Sequence, residues 1–191
     1  MPTSRSRDRS KDSREDPTGR RQQGADRTRG KRKTFKALAP TYATIHLATH
    51  GVLDNRQPLY SHLLLTKTSG DLENDPLLEA CEIMNMKLNA DLAVLSACET
   101  ANGRVSPGEG VMGTSWAFFV AGTRSMLVSQ WTVPSASTSR LMVNFYQSLE
   151  VNRIKQDKAK ALQEATLRLM KDQYYRHPFY WAGFVLVGSN Q

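Results

Sequence analysis

Cysteine is scarce in this chain of 191 residues: only Cys81 and Cys98 occur, and no spacing pattern pairs them. Disulfides are typical of secreted proteins, whereas two isolated thiols are typical of a reducing cytosol. The sequence also lacks an apolar run of about 18 residues, which a membrane-spanning helix requires. Its charged N-terminus lacks the apolar segment of a secretory signal. We therefore predict a cytoplasmic protein with no membrane partner.

Large apolar side chains are absent from the first 33 residues, which contain no Leu, Ile, Val, Phe, Trp or Tyr. Such a segment cannot bury enough surface to offset its loss of entropy on ordering, so we predict a disordered basic tail over residues 1–34. Residues 1–36 hold 13 Lys/Arg and 5 Asp/Glu, whereas residues 37–191 hold 13 of each. Because nearly all of the net charge of +8 lies in the tail, nucleic acid is not an expected partner of the folded domain, and any binding to it is predicted for the tail alone.

A short apolar run leads to one of the two thiols. Residues 91–100 read Asp-Leu-Ala-Val-Leu-Ser-Ala-Cys-Glu-Thr, and the run Leu92–Leu95 is typical of a buried strand. Cys98 therefore comes just after a predicted strand, where open α/β sheets bind their ligands. The alternative is that Cys98 is a small buried residue that only packs, as free cysteines usually do.

A second run has the same design and ends in a base. Residues 43–49 suit a strand and are followed by His50 and Gly51, a residue that permits unusual backbone angles and close approach of a ligand. His50 and Cys98 lie 48 residues apart. A neighbouring imidazole can deprotonate a thiol and later protonate a leaving amine. His46 is interpreted as a core histidine with satisfied hydrogen bonds.

Strand-like and helix-like segments alternate along the rest of the chain. Predicted strands cover residues 41–49, 61–66, 92–95, 124–130 and 182–187, and predicted helices cover residues 76–86, 109–121, 135–149 and 156–172. Asp75 is the expected N-cap of the first of these helices. This alternation predicts an α/β fold with a largely parallel sheet covered by helices on both faces.

The motifs in their order resemble one family. They are Ala48-Thr49-His50-Gly51, Pro58 to Leu65, Asp91 to Thr100, Pro107 to Val111, Ala121 to Ser125, Val128-Ser129-Gln130-Trp131 and Tyr180 to Gly188. From Phe35 to Ser189 the chain resembles the CHAT domain, a bacterial relative of caspases and separases among the caspase-like cysteine peptidases.

The resemblance implies a caspase-like fold over residues 35–191, as the C-terminal catalytic portion of the domain. It implies a cysteine endopeptidase in which Cys98 is the nucleophile and His50 the general base and acid. The backbone N–H groups of Gly51 and Cys98 would stabilise the oxyanion of an acyl-transfer reaction. The expected partners are a protein or peptide substrate and a helical-repeat protein.

No cofactor or metal is predicted. The histidine pair with metal-like spacing, His46 and His50, lies on a predicted strand, where residues four apart are separated by about 13 Å, too far to share an ion.

Two departures from the family pattern shape the alternatives. Family members carry further strands and helices upstream of the histidine strand, so we expect an N-terminally truncated domain. The loop from Trp131 to Ser135 lacks the acidic pair common after Trp-x-Val, so no pocket for a basic residue is predicted. The alternative function is a non-catalytic protein-interaction module, a truncated or degraded copy of the domain.

Overall fold

A computed structural model describes residues 14–15, 21–22, 32–52, 54, 56–66, 75–96, 109–151 and 157–190. The strands are β1 (Arg14–Glu15), β2 (Arg21–Gln22), β3 (Thr44–Leu47), β4 (Gly51–Val52), β5 (His62–Leu64), β6 (Leu77–Glu79), β7 (Leu92–Leu95), β8 (Ser125–Ser129) and β9 (Phe184–Gly188). The α-helices are α1 (Arg32–Leu38), α2 (Ala80–Met84), α3 (Glu109–Val120), α4 (Ser135–Val151) and α5 (Lys158–Met170).

The main sheet has the strand order β3-β7-β8-β9. β3, β7 and β8 run parallel, and β9 pairs with β8 in the antiparallel sense. The prediction of an α/β fold with a mostly parallel sheet is thereby confirmed. Within the described residues, β3 is an outer strand of this sheet.

Side chains alternate between the two faces of the main sheet, as the pleat requires. One face carries Ile45, Ala93, Leu95, Met126 and Val128, which pack against residues of α2 and α3 such as Ile83, Ala117 and Phe118. The other carries Leu92, Val94, Leu127 and Phe184, which pack against residues of α4 and α5 such as Leu141, Phe145, Ala165 and Leu169. Helices thus cover both faces, as predicted.

A separate antiparallel sheet with the strand order β4-β5-β6 follows β3 in the chain. The helix predicted over residues 76–86 is wrong in its first half. Leu77 to Glu79 form β6, which pairs with β5 so that Leu78, fully buried, lies opposite Leu63. Asp75 accepts a hydrogen bond from the amide of Leu77 at 2.9 Å and so stabilises the turn before β6. The N-cap of α2 is Glu79.

The N-terminal segment is described only in part. β1 and β2 pair in the antiparallel sense, and α1 begins at Arg32, inside the last residues of the predicted tail. Most of residues 1–31 lie outside the described residues, so the disordered tail stays a prediction. In the described part of the chain, no helix is long and apolar enough to cross a bilayer.

Candidate active site

The carboxyl ends of β3, β7 and β8 meet at one edge of the main sheet because these strands are parallel. His50 follows β3, Ser96 follows β7, and Trp131 follows β8. Cys98, the predicted nucleophile, lies outside the described residues, and so does its backbone N–H. This edge therefore holds His50, Gly51 and Ser96, which lies two positions before Cys98 in the sequence.

The segment that carries His50 is hydrogen-bonded to β5. The carbonyl oxygen of His50 accepts from the amide of Leu64 at 2.8 Å, and the hydroxyl of Thr49 donates to the carbonyl oxygen of Leu64. The side chain of His50 is exposed. The backbone of His50 is thus held by β5 at the sheet edge, and the residue remains exposed.

Gly51 does not use the special conformation expected of it. It lies in β4 opposite Leu63, without a positive φ, and a Cβ added there would meet the Leu63 side chain at an ordinary 3.5 Å. Strand pairing, not a left-handed turn, sets its geometry. The oxyanion role predicted for Gly51 would require only its N–H, which any residue but proline supplies.

His46 is the centre of a hydrogen-bonded cluster with Ser96 and Tyr146. Its Nε2 lies 2.8 Å from the Ser96 hydroxyl, and its Nδ1 lies 3.1 Å from the Tyr146 hydroxyl. The rings of His46 and Tyr146 are 5.6 Å apart between centroids, tilted by 37°. The prediction of satisfied hydrogen bonds is confirmed, but the core location is wrong. His46 lies on an outer strand, contacts Tyr146 of α4 and is exposed.

Desolvation keeps this cluster neutral. Although the His46 side chain is partly exposed, packing around the ring removes water and lowers its pKa below the ordinary histidine value. Burial raises the pKa of the Tyr146 phenol. Near neutral pH, therefore, the imidazole has one donor and one acceptor nitrogen, and the two hydroxyls take the complementary roles.

The contact of a serine hydroxyl with an imidazole has the connectivity of a nucleophile and its base. Two features argue against that chemistry here. Ser96 is only 8% exposed, and the third group is a neutral phenol, which stabilises an imidazolium less than a carboxylate does. The cluster is better suited to holding the end of β7 in place.

Trp131 lies beside the start of β9. Its Nε1 donates to the carbonyl oxygen of Phe179 at 3.0 Å, and a Cβ at Gly183 would come within 2.8 Å of the indole ring. The indole therefore packs closely against the backbone at Gly183, next to the edge where β8 ends.

The other cysteine, Cys81, lies on α2, and its thiol donates to the Glu79 carboxylate at 3.2 Å. Burial raises the pKa of Cys81, and the hydrogen bond to Glu79 raises it further. The described residues contain no group of three His, Cys, Asp or Glu side chains arranged to hold a metal ion.

Comparison with protein families gives a match to the CHAT domain model over residues 20–189. The chain belongs to the CHAT domain family. The match begins before the predicted domain boundary at residue 35, and that boundary stays a prediction. The mostly parallel sheet with helices on both faces is consistent with the caspase-like fold of this family.

Two curated relatives are mammalian. The chain is 37% identical over 114 residues to tetratricopeptide repeat protein 28 of Mus musculus and 36% identical over 114 residues to the Homo sapiens protein of the same name. The alignment covers 60% of this chain but only 4% of each relative. The chain therefore corresponds to a small part of these proteins, which are mammalian, whereas the resemblance pointed to a bacterial family.

Proposed function

We propose that this CHAT domain is a cysteine endopeptidase in which Cys98 is the nucleophile and His50 is the general base and acid. The observation that carries the proposal is the register of β3 against β7. Paired residues from Thr44 and Leu92 to Leu47 and Leu95 are all 48 positions apart, and His50 and Cys98 have the same separation.

The register supports a short distance between the two side chains. Neighbouring strands lie about 4.8 Å apart, so residues at matching positions beyond the strand ends start from adjacent points of the sheet edge. The backbone of Leu47 also accepts from the amide of Ser96 at 3.1 Å, which extends the pairing one residue past β7. A thiol and an imidazole that leave the sheet side by side suit proton transfer and acyl transfer.

The reaction would run through an acyl-enzyme. The Cys98 thiolate attacks the peptide carbonyl, His50 protonates the leaving amine, and water then releases the acyl group with His50 as base. The backbone N–H groups of Gly51 and Cys98 are proposed to stabilise the oxyanion. Each such donor contributes about 3 to 4 kcal/mol in a well-studied protease. The substrate is proposed to be a protein or peptide.

The test is the alkylation rate of Cys98 by iodoacetamide as a function of pH. The Cys81→Ser variant leaves Cys98 as the single thiol of the chain and preserves a hydroxyl donor for Glu79. We expect the reaction midpoint well below the ordinary cysteine pKa of about 8.5. His50→Ala should return the midpoint to that value. Cleavage of unfolded casein, abolished in Cys98→Ala, is the matching activity measurement.

A midpoint near 8.5 that is unchanged by His50→Ala would contradict the dyad. It would favour the second candidate, a non-catalytic protein-interaction module. Two observations favour that candidate: β3 is an outer strand of the described sheet, and the curated relatives are named for tetratricopeptide repeats. Such repeats stack into concave surfaces that bind other proteins. Saturable binding of the Cys98→Ala chain to a tetratricopeptide-repeat array would support a helical-repeat partner.

A further inference from the structure

The cluster of His46, Ser96 and Tyr146 connects three elements at the end of the sheet where the proposed dyad lies. His46 belongs to the outer strand β3, Ser96 directly follows β7, and Tyr146 lies on α4. Hydrogen bonds of 2.8 Å and 3.1 Å join the imidazole to the other two side chains. These contacts join residues that are 50 and 100 positions apart in the chain.

Ser96 is held on both its backbone and its side chain. Its amide donates to the carbonyl oxygen of Leu47 at 3.1 Å, and its hydroxyl contacts Nε2 of His46 at 2.8 Å. The hydrogen bond to His46 is partly buried, so it restricts the Ser96 side chain, and its removal leaves a buried hydroxyl or its partner unsatisfied. The end of β7 is therefore fixed two residues before Cys98.

Tyr146 holds the imidazole from the opposite side. Its hydroxyl occupies Nδ1, so the ring cannot turn to offer Nε2 elsewhere without losing a hydrogen bond. Its own ring contacts Phe145 edge-on at 5.5 Å between centroids, and Phe145 is fully buried in the core under α4. The position of His46 is thus tied to the packed helix layer.

We propose that His46, Ser96 and Tyr146 are positioning residues that fix the end of β7, the strand that leads to the proposed nucleophile Cys98, and that this fixing supports the reactivity of Cys98. The inference rests on the proposed function for its catalytic consequence. None of the three groups takes part in bond making. Their role is to hold the strand end that leads to the nucleophile, as outer hydrogen-bonding partners do for the residues that react.

The experiment uses the full chain with Cys81→Ser, so that Cys98 is the single thiol. Ser96→Ala and Tyr146→Phe each remove one hydroxyl of the cluster, and Tyr146→Phe preserves the aromatic packing. We expect each variant to slow alkylation of Cys98 near pH 7 about tenfold, part of the 10²–10⁴-fold that a positioned base contributes. The midpoint of the pH profile should also move upward, an effect that a loss of stability alone does not produce.

Ser125→Ala is the matched control. Ser125 is also a fully buried serine of the main sheet, and its hydroxyl donates to the carbonyl oxygen of Asp91, at the opposite end of β7. It should lower the melting temperature to a similar extent without changing the pH profile. Equal profile shifts in Ser125→Ala and Ser96→Ala would overturn the proposal, and so would an unchanged profile in Tyr146→Phe.

Hydrogen exchange separates this inference from the dyad itself. We expect Ser96→Ala and Tyr146→Phe to speed amide exchange in a peptide covering residues 93–100, whereas Ser125→Ala should not change exchange at residues 96–98. If His50→Ala leaves the alkylation profile unchanged, the dyad fails, and faster exchange still supports the fixing of β7. If His50→Ala shifts the profile while exchange is unaffected by the cluster variants, the dyad stands and the positioning role fails.

Discussion

Gly122 lies at the end of α3, where the main chain packs closely against the backbone of Leu88. It follows α3 with a φ of +105°, and a Cβ there would lie 2.2 Å from the carbonyl oxygen of Leu88. The same junction contains a hydrogen bond from the Leu88 amide to the Ala121 carbonyl oxygen at 2.6 Å. Glycine is required at this helix end because it alone adopts the left-handed conformation without strain and leaves room for the neighbouring backbone.

We expect Gly122→Ala to lower the free energy of unfolding by about 3 kcal/mol, since it adds backbone strain and a clash with main-chain atoms. Gly51→Ala is the matched control. It has ordinary space for a Cβ and should change stability by less than about 1 kcal/mol. Urea denaturation of both variants measures the difference. Equal losses in the two variants would contradict this account of Gly122.

His46 predicts a pH dependence of stability. Burial lowers its pKa in the folded protein, so the unfolded chain, with histidines near about 6.5, takes up the proton first. Stability is therefore full above that pH and declines as the pH falls from about 6.5 toward the lower pKa of the folded state. Urea denaturation between about pH 7.5 and 5.5 should show this decline.

The His46→Gln variant should show a weaker decline over the same pH range. His177→Gln, which removes an exposed histidine, is the control and should follow the wild type. A decline of the same size in His46→Gln and the wild type would show that another group is responsible.

At the scale of elements, α1 is held against α2 by charge. Arg32 and Lys36 both contact the carboxylate of Glu82, whose side chain is only 15% exposed. Burial alone would raise the pKa of Glu82, but the hydrogen bonds from Lys36 and Arg32 outweigh it and hold the pKa below its ordinary value. The ion pairs thus fix the first helix of the described domain.

We expect Glu82→Gln to lower the free energy of unfolding by about 1–2 kcal/mol at pH 7. Glutamine can still accept a hydrogen bond from the amide of Glu79, so the loss of stability measures the contribution of the negative charge. Because the pKa of Glu82 is depressed on folding, its contribution is present above about pH 4.3 and disappears as the pH falls through the lower native value. Wild type and variant should therefore converge in acid.

The control for this change is Glu150→Gln, at an exposed position of α4. It should change stability by less than about 0.5 kcal/mol at any pH. A constant difference between Glu82→Gln and the wild type down to about pH 2 would exclude the ion pairs as its cause.

At the scale of the whole molecule, charge is unevenly distributed. Residues 1–31 hold 10 Lys/Arg and 5 Asp/Glu, which leaves 16 and 13 for residues 32–191. Any binding of polyanions is expected to involve this basic segment, with an affinity that falls steeply as salt increases. The described domain has no comparable excess of positive charge.

We expect removal of residues 1–31 to abolish binding to a single-stranded DNA probe at low salt while leaving the melting temperature nearly unchanged. The physical reason is that the removed segment carries the charge but almost no large apolar side chain. Fluorescence anisotropy and a thermal scan of both chains measure the two effects. Retained binding by the shortened chain, or a large fall in melting temperature, would contradict the prediction.

Much of the fold was predictable from local patterns. The apolar run Leu92–Leu95 is a fully buried strand, and the helices predicted over residues 135–149 and 156–172 are present as α4 and α5, which pack against one core. Residue pattern sufficed there because a buried strand or an amphipathic helix is determined mainly by its own side chains. The placement of His50 and Ser96 after parallel strands follows from the same patterns.

Only the tertiary structure decided which distant residues meet. Leu78 lies in a strand because it pairs with Leu63, although its neighbourhood resembles a helix start. Tyr146 contacts His46 across 100 positions because α4 packs on the face of β3 that carries His46. Local propensity has no information on such contacts. By itself the sequence determined the elements and the candidate residues at their ends. Long-range packing determined the register of the strands and the hydrogen-bonded cluster of His46, Ser96 and Tyr146.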